Sequence, residues 1–437
     1  MEITIFTIIV LILSLVFVLQ RRVDYFLYAS IFFSGYTGTS VLNIYGFSLQ
    51  PSFYFVIIYL LIRLFSGKKF SYRLFGLAGV FFVYCAISTV FPLFINNPSL
   101  MIMNQEGFYT PVKWSLSNYT QLFYLLFDLL FLNELFVFSK QTNAKIRMVN
   151  SFKYGLISVE LICLYQIVAF TFDFPFDMLF RQSVHGNIQG TRLYGPCIEA
   201  SMLCYYLIPA MIIVFQNRKN LWDYLILVVA LIIGFLTESS TFLVGTVCLC
   251  IYMVPVFIRF LTNVHPLKVW RNVIVGCCLA VIAIVALSDK INESIVSLME
   301  KLQLNSFSGQ ERYESFRQMA IVGLQYPFGV GFGTSRSKDL LSTWLCNIGL
   351  IGIIIFLVFT VQIVYRSVKG GGVRFALPYV TVLLLMFLSV PEPYNLFIWY
   401  FIFYAVTMEK WPKKCLVSSE NKILKEKKVD LKMGANI

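Results

Sequence analysis

Five arginines stand in polar segments between the apolar stretches of this chain, a pattern that predicts phosphate binding. The planar guanidinium group donates to two phosphate oxygens at once, so several arginines on one side of a protein form a site for a phosphate or diphosphate. A carboxylate or imidazole within reach of the same site can accept the proton of an attacking hydroxyl group. The candidate phosphate ligands are Arg181, Arg192, Arg312, Arg317 and Arg336, and the candidate bases are Glu199 and His185.

Glu199 lies at the start of an apolar stretch, a position in which a carboxylate is unusual. A carboxylate that enters an apolar helix is costly unless it is paired or functional, and a buried one is a stronger base than one in water. The alternative is that Glu199 caps the positive end of its helix or pairs with an arginine. His185 likewise has two interpretations, a general base or a loop side chain without a chemical role.

The longest polar segment, residues 289–340, predicts two amphipathic helices. Apolar residues recur at helical spacing over 289–304, which is typical of a helix lying on a membrane surface. A second helix over 312–325 is predicted to follow a capping box formed by Ser308 and Glu311. This segment therefore has enough regular structure to position Arg312 and its neighbours.

Alternating glycines, Gly329, Gly331 and Gly333, follow Pro327 at the end of that second helix. A dinucleotide-binding loop needs a preceding strand within a βαβ unit, and the sequence predicts none here. Two interpretations stay open. The glycines form a flexible turn between helices, or they let backbone amide groups approach an anionic substrate.

The elements that carry these residues are apolar helices. Of the residues, 58% are hydrophobic and 13% are charged, whereas soluble domains carry about 25% charged residues. Spans of this length in lipid must satisfy their own backbone hydrogen bonds, so the predicted fold class is all-α, a polytopic membrane protein with about 12–13 transmembrane helices. The predicted spans are 3–19, 24–43, 51–66, 74–95, 119–138, 152–172, 199–215, 221–237, 241–258, 272–288, 341–365, 374–390 and 394–408.

The basic residues predict how the spans are oriented. Of the 35 Lys and Arg residues, 25 lie in one set of alternate loops or in the tail, and Arg63 lies near the same end of its span. Loops with such an excess stay in the cytoplasm. The transmembrane domain is predicted over 1–408 and a basic cytoplasmic tail over 409–437. The long outer loops are 96–118, 173–198 and 289–340. The net charge of +13 therefore faces anionic membrane lipid, and nucleic acid is not a predicted partner.

Three segments resemble the O-antigen polymerase and ligase superfamily, which contains Wzy-type polymerases and WaaL-type ligases. The first is Arg-Leu-Tyr-Gly-Pro-Cys-Ile-Glu-Ala-Ser at 192–201, in which Ala200 stands where the family often has proline. The second is Thr-Glu-Ser-Ser-Thr at 237–241. The third extends from Gly-Gln-Glu-Arg, beginning at Gly309, to the glycines that end at Gly333. It resembles the family's Gly-Arg pair, amphipathic helix and Asn-Pro-hydrophobic-Gly arrangement.

The resemblance implies inverting glycosyl transfer between undecaprenyl-diphosphate-linked oligosaccharides at the outer face of a bacterial plasma membrane. The five arginines would stabilise the departing diphosphate, and Glu199 or His185 would serve as base. The expected partners are these lipid-linked oligosaccharides, membrane lipids and a chain-length regulator. No cofactor is expected. No metal is expected either, because the spacing of Asp173 and Asp177 is only weakly ligand-like.

Two other functions remain open on the sequence alone. A WaaL-type ligase would transfer a finished polymer with the same donor chemistry, and it would depend on an outer histidine such as His185. A flippase or transporter would also have many helices, and it would use ionisable residues near the middle of the bilayer. Asp128 and Glu160 are the plain examples within the spans.

Overall fold

The computed structural model describes residues 5–44, 47–67, 76–95, 97, 99–104, 108–176, 192–262, 288–303 and 305–408. The chain is mostly helical, which confirms the helical part of the predicted fold class. Among the described residues, three helices are long and apolar enough to cross a membrane: Leu116–Phe138, Ala144–Thr171 and Leu340–Gly370. Several shorter apolar helices accompany them. The predicted span 272–288 and the tail lie outside the described residues.

The helices are numbered here in chain order. They are α1 (Ile5–Leu19), α2 (Val23–Phe32), α3 (Pro51–Phe65), α4 (Leu77–Ser88), α5 (Leu116–Phe138), α6 (Ala144–Thr171), α7 (Ala200–Gln216), α8 (Leu221–Leu236), α9 (Ser240–Thr262), α10 (Ser288–Leu302), α11 (Phe307–Gln325), α12 (Leu340–Gly370), α13 (Leu377–Ser389) and α14 (Leu396–Thr407). Short 3₁₀ turns cover Phe33–Gly35, Phe91–Leu93 and Val373–Phe375. Antiparallel hairpins, which the sequence did not predict, pair β1 (Leu42–Ile44) with β2 (Phe47–Leu49) and β3 (Met101–Met103) with β4 (Tyr109–Pro111).

Local signals in the sequence fix where several helices begin. Pro51 occupies the first turn of α3, where its missing N–H group is not needed. Ser115 and Asn118 form a capping box at the start of α5, with Asn118 Oδ1 accepting from the Ser115 N–H at 2.9 Å. Asn220 and Asp223 form the same arrangement at the start of α8. Each box satisfies N–H groups that the first turn of a helix leaves without partners.

The start of α11 differs from the prediction. Its N-cap is Ser306, whose hydroxyl oxygen accepts from the Gly309 N–H at 3.1 Å. The predicted capping box of Ser308 and Glu311 is therefore wrong, because both residues already lie inside the helix. A serine two residues earlier competes for the same role, and spacing alone does not separate the two.

The predicted span 24–43 ends early, because its second half packs against another segment. Helix α2 stops at Phe32, and a 3₁₀ turn ends at Gly35. The Gly38 N–H then donates to the Pro196 carbonyl at 2.9 Å. A side chain at Gly38 would collide with the main chain that follows Pro196. Contact with that segment thus replaces helical hydrogen bonding.

Helices α7 and α14 form the centre of the bundle. Nearly every residue of α7 from Met202 to Val214 is buried, as are most residues of α14. A helix that is apolar on all sides is stable only when other helices surround it. Helix α7 packs against α13, α9 and α8, while α14 packs against α5 and α12.

The segment 237–239 separates α8 from α9 and bends the chain sharply. The rings of Phe235 and Phe242 lie 5.0 Å apart, and the Phe242 ring also packs on Gly234. Residues eight apart in a continuous helix would be about 12 Å apart along its axis. Both helices lie against α7. In the structure this segment joins two helices.

Helix α12 contains a break at Gly349, where φ is 63°. The main chain of Pro327 and Gly329 lies directly against Gly349, leaving no space for a side chain there. Three carbonyl groups just before the break accept hydrogen bonds from outside the helix. They are those of Cys346 from Val330 N (2.8 Å), Asn347 from Gly331 N (2.9 Å) and Ile348 from Tyr84 Oη (2.9 Å).

We expect Gly329→Ala to lower the free energy of unfolding by about 2–4 kcal/mol, because φ is +82° there and a Cβ would meet the Asn347 main chain. Gly370→Ala is the control, since Gly370 ends α12 with open space around it, and its expected change is within about 1 kcal/mol. The measurement is thermal unfolding of both variants in detergent. Equal melting temperatures would show that the Gly329 contact does not hold the break together.

Candidate functional site

The segment 327–339, called the glycine loop below, is attached to the start of α5. Asn118 Nδ2 donates to the Phe332 carbonyl at 2.7 Å and to Thr334 Oγ1 at 2.8 Å. Ser117 Oγ donates to the Gly333 carbonyl at 2.8 Å. Asn118 is fully buried. Its amide therefore holds the glycine loop in one position relative to α5.

A second asparagine attaches the glycine loop to α12. Asn347 Oδ1 accepts from the Ser335 N–H at 2.8 Å, and Asn347 Nδ2 donates back to the Ser335 carbonyl at 2.9 Å. The Arg336 N–H donates to the Met103 carbonyl on β3 at 3.0 Å. These bonds connect the loop with α12 and the β3–β4 hairpin, so the residues that follow Ser335 start from a fixed backbone.

Three amide groups of the glycine loop are occupied by the protein itself. Those of Val330 and Gly331 donate to carbonyl groups of α12, and that of Phe332 donates to Ser88 Oγ at 3.2 Å. All three residues are buried, so these amides are not available to an anionic substrate. The glycines here allow two stretches of backbone to approach closely, and an approach of the loop to a substrate stays a prediction.

Arg312 is oriented by main-chain oxygens at the end of α13. Its Nη1 donates to the Ser389 carbonyl at 3.2 Å and to the Lys338 carbonyl at 3.4 Å. Neutral carbonyl groups orient a guanidinium group without cancelling its charge. The side chain is half-buried, which reduces the screening of that charge by water.

Two further cations lie beside Arg312. Arg336 forms an ion pair with Glu392 in the linker between α13 and α14. Lys338 forms one with Glu311 at 3.2 Å. Arg312, Arg336 and Lys338 are called the cationic cluster below. Both ion pairs are partly exposed, so an incoming anion can replace either carboxylate at a modest cost.

Asp339 connects this cluster to the first turn of α12. Its carboxylate accepts from Ser342 N at 2.8 Å and from Ser342 Oγ at 2.7 Å, which makes it the N-cap of the helix. Burial raises the pKa of Asp339, and the hydrogen bonds from Ser342 and the charge of Arg312 offset only part of that increase. Burial thus disfavours the charged form of a group next to the cations.

Arg317 is not brought to the cluster. It lies five residues after Arg312 on α11, roughly 140° further around the helix. Its side chain is exposed and pairs with Glu314 at 3.6 Å. Its predicted role as a diphosphate ligand stays a prediction without support from the geometry.

The first segment of the family resemblance, residues 192–201, lies at the start of α7. Arg192 and Glu199 are both exposed, so the expected burial of Glu199 is not observed. The reason is that Glu199 occupies the extended N-cap position, before the chain enters the bundle. Its Oε1 accepts from Ser201 Oγ at 2.5 Å, and its side chain makes no capping hydrogen bond. Arg181 and His185 lie outside the described residues.

Two of the three segments that carry the family resemblance meet in the fold. Thr241 Oγ1, in the second segment, donates to Ser389 Oγ at 3.0 Å. The Ser389 carbonyl also accepts from Arg312, in the third segment. The end of α13 is therefore the point where the second and third segments meet. The first segment ends three residues before Cys204 of α7, whose Sγ lies 3.1 Å from Thr237 Oγ1 in the bend between α8 and α9.

Sequence reasoning missed Glu392 and the two asparagines that hold the glycine loop. Glu392 lies between two prolines in a short linker, and a carboxylate in a turn between apolar helices was an available signal. Asn118 and Asn347 had no such signal, because each lies within a predicted span or beside one and its partners are far away in sequence. Asp173 lies in the turn after α6 and Asp177 lies outside the described residues, so the prediction of no metal stays a prediction.

Comparison of the chain with protein-family models, with curated proteins and with solved structures finds no match.

We expect Asp339→Asn to stabilise the protein at neutral pH, because asparagine caps helices as well as aspartate does and cannot ionise. The folded protein raises the pKa of Asp339, so the stability of the wild type falls as pH rises through that pKa. The advantage of the variant should vanish below about pH 4, where the aspartate is protonated in both states.

The measurement is the unfolding temperature of the wild type and of Asp339→Asn between about pH 4 and neutral pH. Asp173→Asn, at an exposed position, controls for the loss of one negative charge. An advantage that does not change with pH would contradict the assigned burial effect.

Proposed function

We propose that the protein is a multi-pass protein of a bacterial plasma membrane with about 12–13 spans. Support comes from exposed apolar residues that repeat along the helices. On α12, Leu350, Ile354, Val361 and Tyr365 are all exposed and recur at helical spacing. Soluble monomers rarely expose a continuous apolar face of this kind, whereas lipid covers it at no cost.

The arrangement of helix ends supports one orientation, with the C-terminus in the cytoplasm. Residues predicted to lie on the cytoplasmic side contact one another, as in the ion pairs Arg63–Glu134 and Lys153–Asp223. On the predicted outer side, the Arg336 N–H bonds to Met103. The excess of Lys and Arg residues in the loops predicted to be cytoplasmic agrees with this orientation.

Within that membrane the proposed activity is polymerisation of undecaprenyl-diphosphate-linked oligosaccharide repeat units into an O-antigen or capsule-type polysaccharide. The observation that carries it is the meeting of the second and third resembling segments at Ser389, through Thr241 and Arg312. Arg312 thereby holds a cation at the point where the two segments meet.

The proposed reaction is an inverting glycosyl transfer without metal or other cofactor. A hydroxyl group of the incoming unit attacks the anomeric carbon of the growing chain from the side opposite the diphosphate. The bond from that carbon to the diphosphate oxygen breaks, and the lipid diphosphate leaves with the electron pair. Negative charge grows on the leaving oxygen, and fixed cations stabilise it. Arg312 and Arg336 are the candidates that lie together.

The proton of the attacking hydroxyl group needs an acceptor. Glu199 and His185 are the candidates, with Arg192 and Arg181 as further diphosphate ligands and Arg317 as the weakest of the five. Glu199 is exposed beside Ser201, which leaves it accessible to a substrate hydroxyl group. A chain-length regulator is the expected protein partner.

We expect Arg312→Ala to abolish polymer formation, because removal of one preorganised donor costs about 100-fold or more in rate. Arg312→Lys should retain a fraction of the activity, since lysine keeps the charge without the fork. The measurement is polymer length on a gel, from a strain lacking this gene and complemented at matched membrane levels. Arg366→Ala, at the other end of α12, is the control and should restore the full ladder.

Two results would redirect the assignment. The null strain could still make finished polymer but fail to transfer it to another lipid. If substitution of His185 then abolished the transfer and substitution of Glu199 did not, the protein would be a ligase. Accumulation of lipid-linked units on the inner leaflet of the null strain would identify a flippase and contradict polymerisation.

One observation favours the flippase or transporter alternative. Asp128 and Glu160 are buried within α5 and α6. Both oxygens of Asp128 and one of Glu160 have no hydrogen-bond partner among the described residues. Buried carboxylates in spans often relay protons. Asp128→Asn and Glu160→Gln would leave the ladder intact if the protein is a polymerase without proton coupling.

A further inference from the structure

An open groove with a volume of about 780 Å³ lies between α1, α2 and α6. It is built from other helices than those that carry the cationic cluster. Sites for small molecules have volumes of roughly 300–1,000 Å³. The groove is therefore large enough for a ligand that the proposed glycosyl transfer does not use.

The geometry of α2 and α6 brings two arginines to one end of this groove. Ser151 Oγ donates to the Tyr28 carbonyl at 2.6 Å, and Gly155 packs against the main chain of Phe32. These contacts, one turn apart on each helix, set α2 and α6 side by side and parallel. Arg147, one turn before Ser151, therefore lies level with the first turn of α2.

The two guanidinium groups face the same space. Arg147 lies beside the Tyr28 hydroxyl group, and Arg22 immediately precedes α2, with its guanidinium 5.6 Å from the centre of the Tyr25 ring. Both arginines are exposed and line the groove. Guanidinium groups that line one groove can donate to the oxygens of a phosphate group.

The other end of the groove is apolar. Leu13 lies on α1, and Phe32 and Phe33 lie at the end of α2 and in the 3₁₀ turn that follows it. The helices α1 and α2 are antiparallel neighbours joined by the turn at Arg22, so these three residues lie farther from Arg22 along both helices. Phe17 lies between the two ends, with its ring 5.6 Å from that of Tyr25. The groove thus changes from basic to apolar along its length, which fits an amphipathic ligand with an anionic head.

The charge around the basic end is net positive. Asp24, in the first turn of α2, interacts electrostatically with the Tyr28 hydroxyl group. Arg147 interacts with the same group. Lys153, farther along α6, is paired with Asp223. Two arginines against one aspartate leave an excess of positive charge for a ligand.

We propose that this groove binds one anionic phospholipid of the cytoplasmic leaflet. Its phosphate lies on Arg22 and Arg147, and its acyl chains lie along Leu13, Phe17 and Phe32. The inference rests on the proposed orientation in the membrane and does not depend on glycosyl transfer. Basic pockets between spans on the cytoplasmic side are suited to such head groups.

The test is native mass spectrometry of the purified full chain, equilibrated with equal amounts of phosphatidylglycerol and phosphatidylcholine. The wild type should retain phosphatidylglycerol in preference. Arg22→Gln with Arg147→Gln should lower that preference about 30-fold, since each basic residue near anionic lipid contributes roughly fivefold. Lys140→Gln with Lys369→Gln removes the same charge at exposed positions outside the groove, and it should leave the preference unchanged.

Three results would overturn the proposal. The wild type retains both lipids equally, which decides the question even if the groove variant does not fold. The groove variant and the control lose the preference equally, or not at all. Inorganic phosphate alone displaces the lipid, which would show a phosphate site without acyl-chain contacts. The polymer ladder on a gel is measured in a separate experiment. If the ladder is absent while the protein still prefers phosphatidylglycerol, the result contradicts only the proposed function.

Discussion

The break in α12 is the constraint on which the glycine loop and the cationic cluster depend. A helix interrupted inside an apolar bundle exposes carbonyl groups that no water is present to satisfy, and each such group is costly if it lacks a partner. Here the glycine loop and Tyr84 supply the donors. Because Val330 and Gly331 must reach those carbonyls, the loop is drawn into the bundle, and a side chain at Gly329 or Gly349 would block the approach. The broken helix and the glycines are thus two parts of one structure.

Once the glycine loop is fixed, the charged residues that follow it have little freedom. Asn347 holds Ser335, and the main chain of β3 holds Arg336, so the Arg336 side chain meets Glu392 in the opposite linker. Arg312 comes from a different helix and reaches the same region through Ser389. Two cations on separate elements are held near one another by neutral groups and partly exposed carboxylates. Such preorganised charge suits an anionic leaving group, because no reorganisation is needed during the reaction.

The sequence predicted the helical class and most helix positions, because a run of apolar residues bounded by proline, asparagine or serine has few other solutions. It also found Arg312 and Arg336 as candidates. It failed where one segment pairs with another far away. The end of α2 was set by Pro196, and the roles of the glycines were set by Asn347. Glu199 was expected to be buried because it precedes an apolar run, but a residue at the N-cap lies before the chain enters the bundle. Hydropathy locates the spans, whereas only tertiary contacts decide which polar residues meet.

Reconstituted glycosyl transfer tests the central proposal most directly. The purified full chain in liposomes would be given a synthetic lipid-diphosphate-linked repeat unit, and the glycans would be followed by mass spectrometry. If the cationic cluster stabilises a departing lipid diphosphate, products should grow in whole repeat units on a single carrier. One lipid diphosphate should be released for each new glycosidic bond. Movement of unchanged substrate across the bilayer, with no new glycosidic bond, would contradict polymerisation and identify a transporter.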